Sequence, residues 1–107
     1  MARIYISAPV TGYDYGERKK FFHDIEVSIA RMGDESVNPM RHTTEYMSHE
    51  DAMRVCLRLL LRCDEIRCYG DVANSSGCLT ELDVAGACGI KVTMVSKDGL
   101  ANKEQED

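Results

Sequence analysis

The sequence predicts a single α/β domain, a doubly wound parallel sheet of about four strands in the order 2-1-3-4 with helices on both faces. Three observations predict it. Short apolar runs alternate with segments of helical period along most of the chain, and each run closes on small or turn-forming residues. The length of 107 residues with 44% hydrophobic content suits one modest core. Strands that alternate with helices pair in parallel through right-handed crossovers. The domain is expected over residues 1–96, with the charged segment 97–107 as a flexible tail.

The first strand is Arg3 to Ser7, an apolar run around Ile4, Tyr5 and Ile6 that stops at Pro9 and Gly12. From about Tyr15 to Met32, Phe21, Phe22, Ile25, Ile29 and Met32 recur at helical spacing, and Gly33 supplies the stop. Glu35 to Val37 is a short second strand, closed by Asn38-Pro39 because a residue before proline avoids the helical region. Residues 40–49 have no period and form a long polar loop. Ser48 is the expected N-cap of a second helix over about residues 50–63, with Asp51 in the place of a capping-box Glu. Its apolar stripe is Met53, Cys56, Leu57, Leu60 and Leu61. Asp64 to Tyr69 is the third strand, ended by Gly70, and "DVANSSG" is a second turn-rich loop. Leu79, Leu82, Ala85 and Ala87 fit a third helix ending near Gly89, and Ile90 to Val95 is the fourth strand.

Charge and cysteine content exclude several classes of function. A net charge of −5 leaves no basic stripe for phosphate backbones, so no nucleic-acid polymer is expected as a partner. No apolar run reaches the roughly 18 residues needed to span a bilayer, and the N-terminus has no basic-then-apolar leader, which predicts a soluble, cytoplasmic protein without membrane contact. The five cysteines, at 56, 63, 68, 78 and 88, have no C-x-x-C spacing, and the three histidines are scattered. That pattern suits reduced thiols packed as small hydrophobes rather than a metal site or a disulfide framework. No metal and no cofactor is implied.

In a sheet of this order the ligand crevice lies at the carboxyl ends of strands one and three, where the winding reverses. "SAPVTG" and "DVANSSG" would both border it. Glu81 falls in the first turns of the third helix, just after Ser75, Ser76 and Gly77, where the positive helix end favours the ionised carboxylate. Such a group facing a pocket can attack an anomeric carbon, while free N–H groups beside it can hold phosphate. By spacing alone, a surface glutamate favoured by the macrodipole is the commoner arrangement, and Ser75, Ser76 and Gly77 are equally ordinary turn residues. Tyr5 fits a plain strand residue facing a helix. Ser7 and Thr11 offer hydroxyls, and Pro9 with Gly12 a sharp turn.

Four segments in order, "IYISAPVTG", "VNP", "LLLRCDEI" and "SSGCLTELDVAGACGIKV", resemble the nucleoside 2-deoxyribosyltransferase superfamily over about residues 3–95. Small phage-associated members and 2′-deoxynucleoside 5′-monophosphate N-glycosidases look most alike. The resemblance implies a flavodoxin-like domain, usually oligomeric and here expected as a homodimer, that breaks the N-glycosidic bond of a small-molecule nucleoside or its 5′-phosphate. It places the nucleophile on Glu81 and the strand-one aromatic residue that approaches the sugar on Tyr5. The family's first phosphate- or base-binding loop falls on Ser7, Ala8, Pro9, Val10, Thr11 and Gly12, while Ser75, Ser76 and Gly77, an anion nest or an ordinary turn by their residues alone, are taken as substrate-binding with it. Transferases of the group commonly carry an aspartate six residues before the nucleophile; Ser75 stands there, as in the monophosphate hydrolases, where a hydroxyl leaves room for phosphate and a carboxylate would repel it. The family's helix-two aspartate, eight residues before Asp64, is replaced by Cys56, a thiol that is mostly protonated at neutral pH. Three functions therefore compete: a nucleotide N-glycosidase or transferase, a nucleotide-binding module that has lost its chemistry, and a scaffold for protein contacts. His42, Thr43, Tyr46 and His49 of the long loop are candidates for the base pocket or a lid, with solvated loop residues as the commoner explanation.

Overall fold

The computed structural model describes residues 1–95. Its four strands are β1 (Arg3–Ser7), β2 (Glu35–Val37), β3 (Glu65–Cys68) and β4 (Lys91–Met94), and its helices are α1 (Tyr15–Arg31), α2 (His49–Leu60) and α3 (Ser76–Ala87). All pairings are parallel and the order is β2-β1-β3-β4, the doubly wound topology expected from the sequence. The expected tail at 97–107 lies outside the described residues.

The alternation of β1 divides the interior in two. Ile4 and Ile6 face α1 and pack with Phe22, Ile25 and Ile29, while Tyr5 faces the other way, into a cluster with Leu60, Ile66, Cys68, Cys78 and Ala85. Strand periodicity thus sends one aromatic residue into the side covered by α2 and α3. Burying these side chains is the main favourable contribution to the fold, at roughly 25 cal/mol per Å² of apolar surface.

Helix boundaries follow local chemistry. Asp14 caps α1 by accepting from the Glu17 N–H at 2.9 Å, and Gly33 leaves the helix at a φ of 87° that a side chain would resist. Ser48 caps α2, accepting from the Asp51 N–H at 3.0 Å. The helix ends at Leu60 rather than Cys63, because the Arg62 and Cys63 N–H groups turn back to the carbonyls of Leu59 and Leu60. Ser75 caps α3 by accepting from the Cys78 N–H at 3.2 Å, so that helix begins at Ser76, before its apolar pattern does. Short 3-10 turns, Pro39–Arg41 and Val72–Asn74, lie within the stretches expected as irregular.

Candidate active site

The carboxyl ends of β1 and β3 meet where the winding reverses. The loop after β1 and the turn after β3 are in contact there: Tyr69 N–H donates to the Ser7 carbonyl at 2.8 Å, and a Cβ on Gly70 would lie 3.8 Å from Pro9 Cδ. Gly70 takes a φ of 81°, which lets the chain turn sharply from β3 toward α3.

Into this junction α3 projects Glu81. The residue is 6% exposed, and both carboxylate oxygens accept hydrogen bonds from β1: Oε2 from the Tyr5 hydroxyl at 2.6 Å, Oε1 from the Ser7 hydroxyl at 2.8 Å. No lysine, arginine or histidine pairs with it among the described residues. Burial raises the Glu81 pKa above the ordinary carboxylate value, and the two hydroxyl donors pull partly against that rise. The result is a carboxylate held in fixed orientation and left without a counter-cation. Tyr5 is itself fully buried, and burial followed by the neighbouring Glu81 charge pushes its pKa well above the usual phenol value, so it remains a donor.

Three thiols surround the pair. Cys68 and Cys78 are buried, and Cys56 of α2 is half-buried beside Tyr5. Burial pushes the Cys56 thiol up to about 11 and the Cys68 thiol up to about 12, so both are uncharged at neutral pH. They pack as small apolar groups and keep the local dielectric low. Among the described residues no group of His, Cys, Asp and Glu could hold a metal ion.

The other residues singled out in the sequence have distinct surroundings. Ala8 and Pro9 are buried, Val10 packs against the α1 side of the core, and Thr11 and Gly12 form the exposed tip of the loop. Ser75, Ser76 and Gly77 form the start of α3. A Cβ on Gly77 would meet Met53 Sδ at 3.4 Å and His49 Cε1 at 4.0 Å, so the first turns of α2 lie against the start of α3. Of the long loop, His42 lines a cleft of about 420 Å³ beside β2, Thr43 lines one of about 360 Å³ between α1 and the Pro39–Arg41 turn, and Tyr46 is 88% exposed. Glu81 lines neither cleft. Arg18, which no sequence motif singles out, stands in the first turns of α1 with its guanidinium stacked on the rings of Tyr13 and Phe21.

Residues 2–94 match the family described as a domain of unknown function, DUF4406. The chain belongs to that family. No curated protein matches this DUF4406 chain in sequence. Among solved structures, a 2-deoxyribosyltransferase from Bacillus psychrosaccharolyticus is 22% identical, with a TM-score of 0.68 over 89% of this chain and 72% of its own. A CMP N-glycosidase from Clostridium botulinum is 20% identical, with a TM-score of 0.61 over 87% and 70%. A 2-deoxyribosyltransferase from Leishmania mexicana is 20% identical, with a TM-score of 0.69 over 90% of this chain and 65% of its own. The DUF4406 chain therefore shares its fold with these two deoxyribosyltransferases and this N-glycosidase.

Proposed function

We propose that the protein cleaves the N-glycosidic bond of a nucleoside or deoxynucleoside 5′-monophosphate, with Glu81 as the nucleophile. The observation that carries this reading is the buried carboxylate bound to two hydroxyl donors and, among the described residues, to no cation. A structural glutamate has no need of such a setting, which burial makes costly, whereas a nucleophile gains orientation and basicity from it. Similarity in fold to a CMP N-glycosidase and to deoxyribosyltransferases supports the same chemistry.

In the proposed reaction a Glu81 oxygen attacks C1′ of the sugar as the bond from C1′ to the base nitrogen breaks, and the base leaves with that electron pair and takes up a proton from water. The covalent glycosyl ester is then opened by water, which gives its hydroxyl to C1′ and restores the carboxylate; a second base in place of water gives transfer. Tyr5 and Ser7 hold the carboxylate in position for attack and take up its charge again when the ester opens. Because Glu81 is 6% exposed, side chains around it move for a sugar to reach it, and Met53 and His49, which lie against Gly77 one helical turn before it, are the candidates.

The test is release of free base, followed by chromatography, from each ribo- and deoxyribonucleoside 5′-monophosphate and from the free nucleosides. Release by wild type that falls at least about a thousand-fold in Glu81→Gln supports the reading, a loss of the size expected for removing a nucleophile. Release that persists in Glu81→Gln overturns the mechanism. Cys56 favours a second reading, a nucleotide-binding protein without turnover, since a thiol pushed up to about 11 cannot serve as a carboxylic acid does in protonating a leaving base. Saturable nucleotide binding without base release selects that alternative.

A further inference from the structure

One buried polar side-chain atom among the described residues has no hydrogen-bond partner, and it is Arg18 Nε. Buried charged donors are normally paired, so an unpaired one calls for an explanation. Arg18 also forms no salt bridge among the described residues, although acidic residues outnumber basic ones in this chain, 18 to 13.

The guanidinium is not left loose. Its central carbon lies 4.3 Å from the centroid of the Tyr13 ring and 4.3 Å from that of the Phe21 ring. Stacking on aromatic rings orders the side chain and occupies the faces of the guanidinium, leaving hydrogen bonding to its in-plane edges. A ligand must then approach edge-on, the direction from which an oxyanion accepts a bidentate pair of hydrogen bonds. Ordering the fork beforehand also lowers the entropy lost on binding.

Its place in the fold connects it to the site. Arg18 is in the first turns of α1, which follows the loop from the carboxyl end of β1, and α3 likewise begins beyond the carboxyl end of β3. Arg18 and Cys78, in the first turn of α3, are close enough to influence each other's ionisation, and Cys78 in turn neighbours Ser7. Arg18 makes no ion pair with Glu81, so the carboxylate is not tied up by a cation and keeps its nucleophilicity.

We infer that Arg18, clamped between Tyr13 and Phe21 beside the start of α3, binds the 5′-phosphate of the substrate. This rests on the nucleotide reading above and names the residue that selects monophosphates over free nucleosides. An anion bound there satisfies the Nε–H, and the guanidinium charge offsets repulsion between phosphate and Glu81.

Calorimetric titration of a nucleoside 5′-monophosphate, the matching nucleoside and inorganic phosphate into Glu81→Gln protein, which removes turnover, tests it. Arg18→Gln on that background is expected to lower the ratio of monophosphate to nucleoside affinity about 10- to 100-fold, the loss of one charge-assisted contact. Arg18→Lys, which keeps the charge and loses the fork, is expected to recover part of the ratio. Arg3→Gln, at the opposite end of β1, is the control and leaves it unchanged. An unchanged ratio in Arg18→Gln overturns the inference, as does failure of the Arg18-bearing protein to bind either phosphate or monophosphate. If Arg18→Gln lowers the ratio while wild type releases no base, Arg18 stands and the enzymatic reading falls. If wild type releases base and the ratio does not move, the reverse holds.

Discussion

At the amino ends of the strands, Arg3 and Glu35 pair at 3.5 Å with about half of each side chain in solvent, and the Asp34 and Asp64 carboxylates accept from the backbone N–H groups of Ala2 and Arg3. At the carboxyl ends, Glu81 is 6% exposed, has two hydroxyl donors and pairs with no cation among the described residues. Charges of the first kind are solvated, replaceable and worth under about 1 kcal/mol as pairs. A charge of the second kind opposes folding, and its retention points to chemistry rather than to stability. The difference teaches where to look in this fold: the informative carboxylate is the one whose surroundings are least favourable to it.

The largest effect expected is on Glu81 itself. Glu81→Gln should remove at least about a thousand-fold of base release while the melting temperature stays level or rises, because a buried carboxylate has been replaced by a neutral group of the same shape. Glu35→Gln should alter neither quantity appreciably. A fall of several degrees in Glu81→Gln, read by thermal denaturation, would break the contrast between the two ends.

Next is Tyr5→Phe, which takes away one of the two donors that hold down the raised Glu81 pKa. The rate should fall by about 10- to 100-fold, the cost of one charged hydrogen bond, and the acidic limb of the pH–rate profile should move to higher pH. An unmoved limb would mean that the titrating group is not Glu81.

Stability as a function of pH gives a smaller but cleaner signal. The Glu81 carboxyl has a folded-state pKa above its unfolded value, so between those two values the folded state holds the proton more tightly. Its contribution to stability is greatest below the unfolded value and declines as pH rises through the folded one. Wild type should therefore lose stability across that interval relative to Glu81→Gln, in parallel urea titrations at several pH values. Parallel curves for the two proteins would contradict the raised pKa.

The smallest pair of effects concerns the two glycines at the junction. Gly70→Ala forces a side chain to a φ of 81° and should cost about 1 to 2 kcal/mol. Gly77→Ala meets the flexible thioether of Met53 at 3.4 Å and should change stability little while hindering access to Glu81, so KM should rise more than stability falls. Equal losses of stability from both would place Gly77 in the packing rather than at the opening.

The fold was legible in the sequence where local chemistry decided it. Ser7 and Pro9 end a strand, Ser75 caps a helix, and alternation of short strands with helices specifies the order 2-1-3-4 once right-handed crossovers are assumed. Helix ends were less legible: the apolar stripe continues past Leu60, and only the backbone turning back at Cys63 shows that α2 has stopped. The exposure of Glu81 was not legible at all, because its partners Tyr5 and Ser7 lie 76 and 74 residues away and helical spacing fits a surface position as well. The resemblance placed weight on position 81; the hydroxyls that hold it come from the fold. Arg18 escaped notice because an arginine in the first turns of a helix looks solvated until the Tyr13 ring of the preceding loop is seen to cover it.

The central claim is that the Glu81 carboxylate becomes covalently bonded to the sugar. Intact-protein mass spectrometry after incubation with a nucleotide whose 2′-fluorine slows opening of the glycosyl ester tests it directly. The account predicts an added mass of one sugar phosphate, located on the peptide that carries Glu81 and absent from Glu81→Gln. Base released without any adduct, or an adduct that survives in Glu81→Gln, would contradict it.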